Sequence, residues 1–144
     1  MPRFEHAIAI SAPPERVWDV LVDVEAWPAR IPTVDRVERL DDGPLAMGAR
    51  TRLAQPKLPE AVWTVTELTP GATFTWTSSS PGVRIAASHL IEPAPEGSRL
   101  TLSVDLGGWL APVGWLTTKS LTQRYVETEA ASIKAAPRRT DLDR

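Results

Sequence analysis

The chain has no cysteine among its 144 residues. Disulfides, zinc–thiolate sites, iron–sulfur clusters and thiol nucleophiles are therefore excluded. It has no asparagine either, so an N-glycan has no acceptor. An excess of one charge is also lacking: sixteen Lys and Arg against eighteen Asp and Glu leave a net charge of -2. That balance gives no electrostatic reason to expect nucleic acid or an anionic membrane as partner. No apolar run approaches the roughly 20 residues that span a bilayer. The first residues lack the basic-then-apolar order of a secretory signal. A cytoplasmic protein without integral membrane association is expected. Gly-x-Ser-x-Gly, phosphate-loop and dinucleotide fingerprints are missing too. Tryptophan is plentiful: six, against two Phe and one Tyr. Large rings suit a core, and equally the wall of an apolar pocket.

The opening residues alternate. Phe4, His6, Ile8 and Ile10 share one face, and Glu5, Ala7, Ala9 and Ser11 the other, as in a half-buried strand. Pro13 and Pro14 stop it and suit the first turn of a helix, where Glu15 is a favourable charge. Val17, Trp18, Leu21 and Val24 then form one apolar stripe. Trp27-Pro28 predicts the end of this helix, because a residue before proline avoids the helical region. An irregular turn carrying Ile31 fits between Pro28 and Pro32. Residues 34–40 and 48–55 read as a hairpin around Asp41-Asp42-Gly43-Pro44. Further strands are predicted at 61–68, 73–78, 83–92 and 100–106, between Gly- and Pro-containing turns, of which Pro93 to Gly97 is the last. Their inward faces carry Trp63 and Val65, Phe74 and Trp76, Ile85, Ala87 and His89, and Leu102. From Leu110 or Trp115 to Ala136 the pattern is helical, ended by Pro137. About 22 residues make a rod of ~33 Å.

One strand, a helix, six strands and a long helix resolve as an α+β domain. A seven-stranded antiparallel sheet is too long to stay flat, so it curls, with the last helix on its concave face. Short helical segments join strands 1 and 2. A single domain over residues 1–137 is expected, with a polar tail at 138–144.

The run Ala12-Pro13-Pro14-Glu15-Arg16-Val17-Trp18-Asp19-Val20-Leu21 resembles the START-like, or SRPBCC, superfamily of helix-grip proteins. This superfamily includes the birch-pollen-allergen type and the bacterial polyketide cyclase/dehydrase and lipid-transport type. Val62–Gly71, Ser88–Pro93 and Gly97–Leu102 are similar to the same family. The resemblance implies a deep apolar cavity between sheet and helix. It also implies a cargo of lipids, hormones or polyketides, which some members cyclise or hydrolyse.

Candidate ligand contacts are the inward faces together with the rim, Trp27 and Ile31, that the resemblance makes an entrance: Trp27, Ile31, Leu53, Trp63, Val65, Phe74, Trp76, Ile85, His89, Leu102, Tyr125 and Val126. Trp63 and Trp76 read as plain core as well as pocket wall, and Trp27 and Ile31 as a capping loop with a buried tryptophan. His89, a lone polar group among apolar ones, and Tyr125, at the edge of the Val126–Ala130–Ile133 stripe, are the candidates for proton transfer. His6 shares the inward face, but no third metal ligand is evident, so no metal and no cofactor are expected. Glu127 and Glu129 read as exposed charges. Trp18 reads as packing.

The leading functional expectation is binding of a hydrophobic or amphipathic small molecule, by a monomer or homodimer. A polyketide cyclase, aromatase or dehydratase using the same cavity is the enzymatic alternative. A regulatory module, docking through an apolar patch around Trp109 and Trp115, is the third.

Overall fold

The computed structural model describes residues 3–142, with side chains described through Ala136 except at 113, 114, 117 and 118. The chain begins with β1 (Arg3–Ile10) and the helix α1 (Pro14–Val22). A single 3-10 turn (Val24–Ala26) and the short helix α2 (Trp27–Arg30) follow. Then come β2 (Arg36–Arg39), β3 (Arg50–Ala54), β4 (Ala61–Thr69), β5 (Thr73–Ser80), β6 (Val83–Ala94), β7 (Gly97–Gly107) and α3 (Ala111–Leu142). These strands form one seven-stranded antiparallel sheet in the order β1-β7-β6-β5-β4-β3-β2. The helix-grip architecture is therefore present.

The first helix does not run unbroken to Trp27. Asp23, at ψ 64, leaves the helical path, and Trp27 starts a new helix with φ -56 and ψ -41. Pro28 occupies the second position of α2, where its missing N–H has no helical partner to lose. The break turns the indole of Trp27 inward, to 2% exposure. Its Nε1–H donates to the Leu21 carbonyl at 3.2 Å, satisfying an acceptor that the end of α1 leaves open.

The β2–β3 connection is longer than a tight hairpin. Asp41 braces it by accepting the Arg50 backbone N–H at 2.6 Å. That bond, and then the Arg50 guanidinium, hold the Asp41 carboxyl below the usual carboxylate range. Strand β6 continues through Pro93 to a two-residue turn, Pro95-Glu96. Pro93 lies where β6 has outrun β5 and one side is unpaired, a place where sheets tolerate proline.

The last helix lies over the concave face and packs on β1, β7 and α1. Val126, Ala130, Ile133 and Ala136 are its buried stripe. The helix continues through Pro137, so the boundary expected there falls inside α3.

Where α3 starts is fixed by two glycines. Gly108 has φ +97, and a Cβ there would run into the Gly82 carbonyl. That carbonyl accepts the Leu110 N–H at 2.8 Å, locking the β7–α3 corner to the β5–β6 turn. Gly43 has a similar φ of +86 but open space around it. Gly108→Ala is therefore expected to destabilise by about 1–3 kcal/mol more than Gly43→Ala, because strain and collision add. Urea denaturation of both variants measures the difference, and equal losses would refute the corner as an anchor.

Candidate functional site

Inward faces of the central strands, the segment from α2 to β2, and the middle of α3 converge on one cavity of about 120 Å3. The sheet lines it with Leu53, Trp63, Trp76, Ile85, Ala87, His89 and Val104. Trp27, Ile31, Thr33 and Val34 close one side, and Gln55 and Leu58 of the β3–β4 loop another. The roof is Thr122, Tyr125, Val126 and Glu129 of α3. Strand alternation aims the sheet residues inward, and helical spacing brings the four α3 residues onto one flank.

The indoles brace one another. Trp76 meets Trp27 edge-on at 5.3 Å between ring centroids and Trp63 at 5.8 Å. Phe74 adds a T-shaped contact to Trp76 at 5.4 Å. Such pairs each add about 0.5–1.5 kcal/mol beyond area burial. This side of the cavity is therefore stiff.

His89 is the polar centre and is 2% exposed. Its ring stacks on Phe74 at 4.1 Å and 13°. Nδ1 lies 3.2 Å from the Phe74 carbonyl oxygen, which can only accept, so Nδ1 carries a proton and donates. Nε2 lies 3.2 Å from Glu129 Oε1. A hydrogen bond there needs one further proton, held by the ring or by the carboxyl. The two side chains thus form a dyad that shares a proton wherever that bond is made, at the edge of an apolar chamber.

Tyr125 lines the chamber, but its hydroxyl donates to the Pro56 carbonyl of the β3–β4 loop. In this arrangement the hydroxyl proton is directed to the loop carbonyl. Phe74, Val65 and Leu102 stand behind the chamber wall in the core, at 0%, 2% and 2% exposure. Phe74 supports His89 from the rear. His6 is half-buried opposite Leu102, away from the chamber. Among the described residues no three His, Cys, Asp or Glu side chains gather as a metal site would need. Trp18 packs edge-on against Phe74 at 6.3 Å. Trp109 and Leu116 are 80% and 81% exposed, and Trp115 is half-buried.

Glu129, whose charge predicts the solvent face, is instead the partner of His89, with a side chain 21% exposed. A signal for this exists: Glu129 lies three residues after Val126 and four before Ile133, on the flank of the buried stripe. Thr33, Gln55 and Leu58 carry no periodic signal, because loops place them. A wider depression of about 460 Å3 lies outside, along β2. Both of its arginines are already paired, Arg36 with Glu60 at 2.9 Å and Arg52 with Glu38 at 2.7 Å.

The family model described as polyketide cyclase / dehydrase and lipid transport matches residues 1–136. The chain belongs to this family. No functionally curated protein matches it in sequence. Among solved structures, the Zhui aromatase/cyclase from Streptomyces sp. R1128 superposes with a TM-score of 0.77 at 19% identity, covering 96% of this chain and 94% of that one. A START superfamily protein from Mycobacterium smegmatis gives 0.77 at 16% identity, over 96% and 98%. A protein from Thermus thermophilus gives 0.77 at 19%, over 96% and 99%. What is shared at such identities is the fold, and the START-like resemblance of the proline corner holds. Among the described residues no helix is long and apolar enough to cross a membrane.

The dyad makes a stability prediction. Glu129→Leu strands His89 Nε2 without a partner and is expected to destabilise by about 1–3 kcal/mol. Adding His89→Phe removes the stranded group, so the double variant is expected to be more stable than the sum of the two single losses predicts, by at least about 0.5 kcal/mol. Urea denaturation of the three variants reads this coupling. Strict additivity would show that the two side chains do not interact.

Proposed function

We propose that the protein binds a hydrophobic or amphipathic small molecule in the chamber under α3. The observation that carries this reading is the hollow itself, walled by Trp27, Trp63 and Trp76 and bearing one buried polar pair. Ligand sites are mostly apolar with a few convergent polar groups. Affinity comes from apolar burial at roughly 25 cal/mol per Å2 before association costs. The family description and the START superfamily neighbour support the same reading. Native mass spectrometry of protein purified without detergent is expected to show a bound small-molecule mass. Ala87→Phe, which fills the chamber from the sheet side, is expected to remove it. Equal occupancy in both proteins would end the reading.

The His89–Glu129 dyad favours one second reading, proton transfer on an enolisable carbonyl compound, as in a cyclase or dehydratase. The dyad can give its shared proton to a carbonyl oxygen while a proton leaves the neighbouring acidic carbon and returns to the pair. Under this reading His89→Ala abolishes turnover and only weakens binding. Turnover that survives the substitution rules out His89 as the proton carrier.

A further inference from the structure

The chamber's size and the atoms on its wall narrow the ligand class beyond the family description. Its volume of about 120 Å3 is far below the roughly 300–1,000 Å3 of sites for drug-sized ligands. A cavity of about 150 Å3 holds one benzene ring. Growth on the sheet side is opposed by the interlocked rings of Trp27, Trp63 and Trp76. On the other side the β3–β4 loop, tied to α3 by the Tyr125 hydroxyl on the Pro56 carbonyl, bounds the chamber.

The polar inventory is equally restrictive. His89 and Glu129 are the wall's acid–base pair, and among the described residues no Lys or Arg lines the chamber. A fatty-acid carboxylate would meet Glu129 with no arginine or lysine to offset it, and burying an unpaired charge is expensive. Glu129 Oε1 faces His89, and its second oxygen can accept from a ligand O–H. Flat indole walls favour a flat ring.

We propose that the chamber is built for an uncharged single-ring hydroxyl compound, a phenol, with Glu129 accepting its O–H and the Tyr125–Pro56 bond setting the size limit. This rests on the reading of the chamber as a ligand site. Calorimetric titration of the purified protein with 4-methylphenol, toluene, 2-naphthol and dodecanoate tests it. The wild type is expected to bind 4-methylphenol about tenfold more tightly than toluene, the worth of one hydrogen bond. It is expected to take 2-naphthol more weakly than 4-methylphenol and to give no heat with dodecanoate. Glu129→Leu is expected to abolish the advantage of 4-methylphenol over toluene, read as the ratio of the two affinities in that variant. Tyr125→Phe is expected to reverse the preference between one ring and two.

A 4-methylphenol advantage that persists in Glu129→Leu overturns the assignment of that carboxyl. An unchanged ring-size preference in Tyr125→Phe overturns the latch. Dodecanoate binding that shifts the indole resonances of Trp63 and Trp76 overturns the phenol class but leaves the chamber a ligand site. No binding by any of the four overturns the phenol class, and the mass of a co-purified ligand then decides separately whether the chamber is a ligand site.

Discussion

Burial of one stripe of α3 against the curled sheet is the constraint from which the rest follows. Val126, Ala130, Ile133 and Ala136 recur at helical spacing and are 5%, 0%, 2% and 2% exposed. A buried Val or Ile side chain contributes about 1.5–3 kcal/mol, and Ala130 lets the helix come close. The stripe holds the second half of α3 down over β1, β7 and α1. Thr122, Tyr125 and Glu129 lie beside it, so they hang over the central strands as a roof. Without that docking there is an open concave sheet and no chamber.

Polar groups join the roof to the walls at two points. The Phe74 carbonyl, the His89 ring and the Glu129 carboxyl form one line from β5 through β6 to α3. Tyr125 and Pro56 form the other, from α3 to the β3–β4 loop. Tyr125 and Glu129 are four residues apart, on adjacent turns of one helix flank. A ligand that disturbs either contact therefore acts on how α3 is seated. Buried polar links of this kind are costly to break, because each leaves a group unpaired away from water.

The inward faces are legible in the sequence because strand alternation depends only on period two. Trp63, Trp76, Ile85 and His89 stand at the spacing that puts them in the hollow. The curl and the covering helix follow from turn spacing and chain length. Features set by local backbone choices are not legible. Asp23 breaks the first helix through one ψ angle, and no composition signal marks it. Trp27 is helical although it precedes a proline, since burial and a bond to Leu21 outweigh a local preference. The role of Tyr125 depends on a loop carbonyl sixty-nine residues away in sequence, which periodicity cannot see. Glu129 lies within reach of the helical phase, but its charge alone argues for the solvent face.

A hollow of this kind has to be accounted for energetically. Side chains that line a hollow forgo part of the contacts a packed interior would give them. Closing the void would be simple in sequence terms. Ala87 sits directly opposite Trp76 in the β5–β6 register, and a larger side chain there would fill the space. The chain instead keeps alanine at that position and surrounds it with rings too stiff to collapse inward. A bound ligand would return the lost contacts and add its own burial, so occupancy and stability are linked by mass action. Under the proposed function, a ligand that fills the chamber therefore raises the stability of the folded state.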